Sequence, residues 1–445
     1  MRRPVPTPHA DKVAALAAQV ESLRGQTVHL DKGGVHHFVP LPGDARFRGR
    51  KLDVSALREV LAVDTAARVA SVEPGVTFAE LVAKTLPHGL VPGVVPELTG
   101  ITVGGAVAGC SVESMSYRVG GFHDTCLEHE VVTGAGEVVS LTPDGDPLGF
   151  GMIHGSYGTL GVLTRVTCRL YPAKPCVHLT YVTLPTLAAF EAEMRARIAA
   201  ADHDFVDGII HGPGRFVVCL GRFVSEAPYL SSYRRLHIYY KSTAERAEDY
   251  LTTADYFFRY DTECHWLSRT VPPLEWKPVR WALGGVFLGS ENLIRWSGRL
   301  APLLGLKRRP DVVVDLFLPG ARFADFYRWY EETVRHFPLW VVPYRMPAPY
   351  PWLSPAQVAR MGDDFFFDCA VYGKPNGDPA IDWSEVLEDK TFELGGIKTL
   401  ISRNHYSPER FWDIYHRDNY ERMKARFDPG GLWRDVYAKL VSGRR

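Results

Sequence analysis

The sequence predicts an α+β fold in two parts: a strand-rich N-terminal domain, then a domain with a mixed antiparallel sheet covered by helices. Two patterns carry this reading. Up to Pro172, short alternating strands are broken by glycine turns. From about residue 175, the order strand, helix, strand, strand recurs loosely twice. The 445 residues leave ample chain to bury two or three cores.

The elements follow in order. Val13, Leu16, Val20 and Leu23 fall at helical spacing, so residues 10–24 read as a short amphipathic helix. Val28 to Leu30 leads as a strand into Asp31-Lys32-Gly33-Gly34. Arg68 to Glu73 alternates as a strand, turned by Pro74-Gly75. Thr77 caps a helix that ends before Pro87. His129 to Thr133, Glu137 to Leu141 and Leu163 to Leu170 read as strands, the first two joined by a turn at Gly134-Ala135-Gly136. Beyond Pro172 come a strand at His178 to Thr183, a helix at Leu187 to Ala200, and a hairpin at Gly208 to Leu220. A strand at Val312 to Leu318, a helix at Ala321 to Arg335 and a helix at Pro408 to Phe427 complete the pattern.

Composition excludes several function classes. Lys plus Arg equals Asp plus Glu at 51 each, which gives no electrostatic case for nucleic-acid binding. The seven cysteines are scattered and never in C-x-x-C spacing, against a disulfide framework or a structural zinc site and for a reducing compartment. No metal site is expected. The first residues carry two arginines but no apolar run before Ala14, so they do not read as a secretory signal. No window reaches the ~18 apolar residues of a spanning helix.

The most informative segment runs from Pro96 to Gly121. It holds Gly104, Gly105 and Gly109, hydroxyls at Thr102, Ser111, Ser114 and Ser116, and few charges besides Glu97, Glu113 and Arg118. Glycine lets a backbone approach a ligand closely and offers N–H donors without side-chain bulk, which suits a large, flat, phosphorylated cofactor. No Gly-Lys-Ser/Thr follows, so it is not a Walker loop, and no G-x-G-x-x-G opens a helix after a strand. A glycine-rich bend in an ordinary sheet would share this composition.

Five ordered blocks extend the reading. His88 to Gly109, Ser156 to Lys174, Phe337 to Pro347, Phe365 to Pro375 and His405 to Tyr415 resemble, in the same order, flavoproteins with the vanillyl-alcohol-oxidase type of FAD domain (the FAD-binding PCMH type), and within them the sterol-reductase branch. The resemblance implies an FAD-binding domain of two small α/β subdomains at 1–173, a substrate or cap domain at 174–402, and a C-terminal segment at 403–445 that packs back on the FAD domain. It implies cofactor contacts at Lys32, Gly33, Gly34, Val35 and His36 in the first loop. Thr102, Val103, Gly104, Gly105, Gly109, Glu113 and Ser114 belong to the second, and Gly158, Gly161 and Val162 to the third. Glu113 reads as a structural or a flavin-neighbouring carboxylate. His36 and His37 could hydrogen-bond a phosphate or ribose, attach FAD covalently, or simply pack. The sterol-reductase branch implies non-covalent FAD.

That branch reduces an isolated C=C bond with NADPH as donor, acting on CH–CH groups. Such an alkene needs a neutral acid held beside it. The candidates are Tyr406, just before a helix, and Tyr372, on a strand with Asp368 and Ala370 on its face. Either tyrosine could instead be a buried ring with a satisfied hydroxyl. Arg403 could stabilise a reduced flavin's negative charge, or pair a carboxylate. The implied substrate is lipid-like, a sterol side chain or a methylene-branched fatty acyl chain. Two other functions fit the residues: an FAD oxidase or dehydrogenase acting on a small natural-product intermediate, and a non-catalytic flavin-binding protein.

Residues 265–309 hold four of the ten tryptophans, several prolines and the basic cluster Lys307-Arg308-Arg309. Tryptophan with arginine suits a water–lipid interface, so peripheral membrane contact is one expectation. A long connection packed by its own aromatic side chains is the other. Sterol reductases of animals and plants carry an N-terminal anchor. The start of this sequence shows none, and the expectation is a bacterial protein, cytoplasmic or peripheral to the inner face of a membrane.

Overall fold

Residues in the strand Val162–Pro172 alternate between buried and more accessible positions along nearly its whole length, so one face of the first sheet is core and the other is partly wet. A computed structural model of the protein describes residues 7–34, 41, 44–270, 272–292, 296 and 310–441. In it, Val162–Pro172 is the central strand of an antiparallel sheet ordered Val60–Asp64, Val69–Val72, Val162–Pro172, Cys126–Val132, Val138–Leu141. The short strand Leu90–Pro92 pairs with its far end. A separate parallel pair, Val28–Asp31 with Arg50–Asp53, sits beside this sheet. The helix His9–Ser22 buries Val13, Leu16 and Val20, and its Lys12 donates to Glu59 at 2.9 Å and to Glu73 at 3.0 Å. Thr77 and Glu80 close a reciprocal capping box on the helix Phe78–Thr85.

The second sheet has eight antiparallel strands, ordered Glu248–Thr252, Cys176–Leu184, Arg215–Val224, Phe205–Gly212, Leu339–Arg345, Phe365–Lys374, Val312–Pro319, Ile397–Lys398. The helices Leu187–Ala200 and Phe323–Thr333 cover one face, where Phe190, Met194, Phe326 and Tyr330 pack with Phe367, Cys369 and Val371. The opposite face presents Trp340, Ala370 and Tyr372 to the core continuous with the first domain. Period two thus splits Phe365–Lys374 between a helix side and a cofactor-domain side. The last strand of the first sheet ends at Pro172, and the first of the second begins at Cys176.

Three local readings change. The glycine segment is not a bend: Val103–Gly109 is a helix, with Thr102 as N-cap accepting from the Gly105 amide at 3.4 Å. Pro408 to Phe427 is two helices, Pro408–Ile414 and Arg417–Phe427. Tyr415 takes an extended conformation there and bridges to Leu353, and His416 caps the second helix. Residues 265–309 divide: Trp266 is fully buried, while Trp276 and Trp281 are 63% and 67% exposed, at and just inside the start of the helix Lys277–Phe287. Lys307, Arg308 and Arg309 lie outside the described residues.

The C-terminal segment returns to the first domain. Tyr420 donates to Thr159 Oγ1 at 2.9 Å, and Lys424 donates to the Thr159 carbonyl at 2.9 Å. All seven cysteines are free, and five of them are buried. Among the described residues no helix is long and apolar enough to cross a membrane.

Candidate active site

A cavity of about 650 Å³ lies where the two sheets face each other. From the first domain it is lined by Thr102, Gly104, Gly105 and Gly109 of the glycine helix and by Gly158, Gly161 and Val162 of the third loop. A Cβ added at Gly105 would meet only Thr102 Oγ1, at 3.2 Å, so this backbone opens onto free space. Gly158 and Gly161 have φ of +69° and +149°, which a side chain would strain.

Three cationic side chains contribute to the lining. Lys32, Arg46 and Lys439 all line the cavity. Lys439 Nζ donates to the Tyr157 carbonyl at 2.7 Å and lies 3.9 Å from where a Cβ on Gly158 would stand. Burial, then the charges of Lys424 and Arg46, lower Lys439 to about 8. Burial brings Lys32 to about 8 as well, with Glu291 opposing it. Arg46 is paired with Asp44 at 2.5 Å, and buried cationic groups beside glycine backbone suit an anion.

The cap-side wall carries acids and aromatic rings. Tyr372 donates its hydroxyl to Asp315 Oδ1, and its carbonyl accepts from Trp266 Nε1 and His336 Nε2, both at 2.8 Å. Asp315 sits on the neighbouring strand, where burial lifts it to about 6 against the pull of that hydroxyl. His265 Nε2 meets Glu97 Oε1 at 2.5 Å, and its ring stands 4.2 Å from that of Tyr372. Burial pushes Glu97 up, but the His265 partner outweighs it and holds the carboxyl below its ordinary value. Cys264 and His265 take positive φ of 46° and 64°, a strained pair for residues with side chains. Asp368 completes the wall, 3% exposed.

Several expected site residues lie elsewhere. Tyr406 is buried against Phe411, with Lys398 over its ring, and does not line the cavity. Arg403 pairs with Asp382 at 2.6 Å, also away from the cavity. Glu113 and Ser114 join a buried network in which Glu113 accepts from Ser114 Oγ at 2.6 Å and pairs with Arg259 at 3.4 Å. Burial lifts Glu113 to about 7, with the Arg259 charge opposing. Val103 points into the core. Gly33 and Gly34 are exposed and do not line the cavity; Val35 and His36 lie outside the described residues. The sequence reading missed Glu97, His265, Asp315, Arg46 and Lys439, which stand on separate segments and form no motif. Asp368 appeared there only as a neighbour on the face of Tyr372.

Residues 11–142 match the family described as FAD binding domain. The chain carries an FAD-binding domain of the vanillyl-alcohol-oxidase type. Over 405 residues it is 25% identical to the Delta(24)-sterol reductase of Homo sapiens, covering 87% of this chain and 77% of that one. It is 25% identical over 449 residues to the Delta(24)-sterol reductase of Pisum sativum, covering 90% and 78%. A decaprenylphosphoryl-beta-D-ribose oxidase of Mycolicibacterium smegmatis is 34% identical over 128 residues, 28% of each chain. This flavoprotein is an FAD-dependent oxidoreductase. The residues present fit FAD. Glycine backbone opens onto the cavity at Gly105, and Lys439, with Arg46 among its charge neighbours, stands beside Gly158, where a diphosphate would offset the buried positive charge.

Proposed function

We propose that this FAD-dependent oxidoreductase reduces a carbon–carbon double bond in a lipid-like substrate, a sterol side chain or a branched fatty acyl chain, with NADPH as electron donor. The observation that carries the reading is the cap-side wall, where carboxyl groups are buried among aromatic rings beside a cavity large enough for an apolar substrate. The relatives named as sterol reductases match across this cap sheet, whereas the oxidase matches over only 28% of the chain.

Lys439, with Arg46 among its charge neighbours, would offset the diphosphate of FAD, Lys32 lines the same cavity, and Gly105 and Gly109 would admit the cofactor's bulk against the backbone. When bound, FAD supplies the two-electron chemistry. The protein's part is to exclude water, orient the alkene and manage a proton. Trp340, Phe317 and Val313 line the cavity and make its cap side apolar. Tyr372 is anchored at its hydroxyl by Asp315 and at its carbonyl by two donors, so the wall around the alkene is rigid. The exposed Trp276 and Trp281 support peripheral contact with a membrane, from which a lipid substrate would enter.

Anaerobic stopped-flow tests the reading. NADPH should bleach the bound flavin, and an alkene lipid rather than oxygen should restore its colour. Tyr406→Phe should leave both half-reactions near wild type, since that ring is off the cavity. Rapid recovery with oxygen and none with any alkene would favour an oxidase instead.

A further inference from the structure

Asp368 is the carboxyl whose placement ordinary folding does not explain. It sits inside Phe365–Lys374, a strand buried from Phe365 to Gly373, on the face shared with Ala370 and Tyr372. Its Oδ1 is buried with no hydrogen-bond partner among the described residues. An ionised carboxylate left so would cost several kcal/mol. The buried arginine behind this face, Arg259, is committed to Asp207 at 2.8 Å and Glu113 at 3.4 Å. The group therefore gains nothing for stability from its charge, yet it faces the cavity.

Resting on the reductase reading, we propose that Asp368 is the proton donor to the substrate alkene. Its neighbours favour it over the other candidates. Tyr372 has a single O–H, already given to Asp315. His265 spends Nε2 on Glu97 and stacks against Tyr260 with ring centroids 5.3 Å apart. Its buried Nδ1 has no partner among the described residues, so His265 is the competing donor that variants of the two residues must separate from Asp368. The groups that face Asp368 are Asp315 on the adjacent strand, Glu97 and Glu113 from the first domain, and His265 and Tyr372 in the cavity wall. Burial, then the negative charges of Asp315 and Glu97, hold the Asp368 carboxyl well above its ordinary range, with the Leu316 amide opposing. Its surroundings thus disfavour the charged form and favour the protonated carboxyl, the state in which it can donate.

The step balances. The O–H bond of Asp368 breaks as its proton forms a C–H bond to one alkene carbon, using the π pair. The other carbon would take a hydride equivalent from the two-electron chemistry that bound FAD would supply, with NADPH as the reductant. The carboxylate left on Asp368 is repelled by Asp315 and Glu97 and recovers its proton from water. Tyr372 and His265 act as positioning residues, fixing Asp315 and Glu97 around it.

The test uses the FAD-loaded full chain, wild type and Asp368→Asn, with NADPH and a Delta(24)-sterol dispersed in detergent as the probe. Asp368→Asn should keep its flavin and be bleached by NADPH at a near-normal rate. Its reoxidation by the sterol should slow by a factor on the order of 10²–10⁴. Reoxidation at the wild-type rate overturns the assignment, as does normal behaviour of Asp368→Asn alongside a slow His265→Gln. Infrared spectroscopy gives a readout without turnover: the wild type at neutral pH should show a protonated-carboxyl band that Asp368→Asn lacks. If the two spectra match in that region, Asp368 is ionised and the proposal falls. A wild type that bleaches but is not reoxidised by any alkene defeats the reductase reading itself, a different outcome from an unaffected variant.

Discussion

Gly104 and Gly105 are neighbours with opposite surroundings. A Cβ on Gly104 would stand 2.6 Å from Pro74 Cβ and 3.1 Å from the Pro74 carbonyl oxygen, so this glycine is needed for packing between the glycine helix and the turn before it. Gly104→Ala should lower stability by roughly 1–3 kcal/mol, read as a drop in Tm of the flavin-free protein. On Gly105 the same atom meets only Thr102 Oγ1. Gly105→Val should fold with a normal circular dichroism spectrum and retain little or no FAD, measured as flavin absorbance per chain. Full flavin occupancy in that variant would remove the glycine helix from the cofactor site. Sequence alone treats the two residues alike, because the difference lies in what approaches from Pro74. The same limit applies to the tyrosines: Tyr372 and Tyr406 look equivalent in the chain, and only the fold turns one into the cavity and the other into a packed corner.

At the scale of elements, the capped helices were the most legible. Thr77 was legible as a cap because its side-chain oxygen serves a first-turn amide, a local interaction that needs no tertiary partner; Thr186 does the same before Leu187–Ala200, where no cap was read. The C-terminal helix was misread as continuous because its break at Tyr415 and His416 involves neither glycine nor proline; the Leu353 bridge and the His416 cap impose it. The helix Lys277–Phe287 sets Trp281 outward, with Trp276 one residue before its start. Arg235 donates to the Trp281 carbonyl at 2.6 Å, and its chain neighbour Arg234 is largely exposed and paired with Asp255. Aromatic rings with basic neighbours favour an anionic lipid surface. The double change Trp276→Ala, Trp281→Ala should reduce recovery with anionic liposomes in flotation several-fold while leaving flavin content unchanged. Equal recovery of wild type and variant would mean that these rings serve another surface.

For the whole molecule, the cavity is walled by both sheets, so a ligand filling it links the stability of the two halves. Adding FAD to flavin-depleted protein should raise Tm in a concentration-dependent way, by about 2.7 kcal/mol of stabilisation at a hundredfold excess over Kd. A single transition that moves as a unit would show that both sheets unfold together, whereas a lower transition unmoved by FAD would place the second sheet outside the linkage. The sequence by itself determined that there are two sheet-based parts, most of their strands, the Thr77 cap and the glycines that border the cavity at Gly105 and Gly158. Those features rest on period-two alternation, local hydrogen bonding and backbone conformations near to hand in the chain. Tertiary structure alone decided the site. Phe365–Lys374 is buried along both faces, so alternation cannot say which residues face the helices and which the cavity. Glu97, His265, Asp315, Asp368 and Lys439 are joined only by the packing of one sheet against the other, and a carboxyl becomes a neutral acid only where that packing removes water and sets other carboxyls beside it.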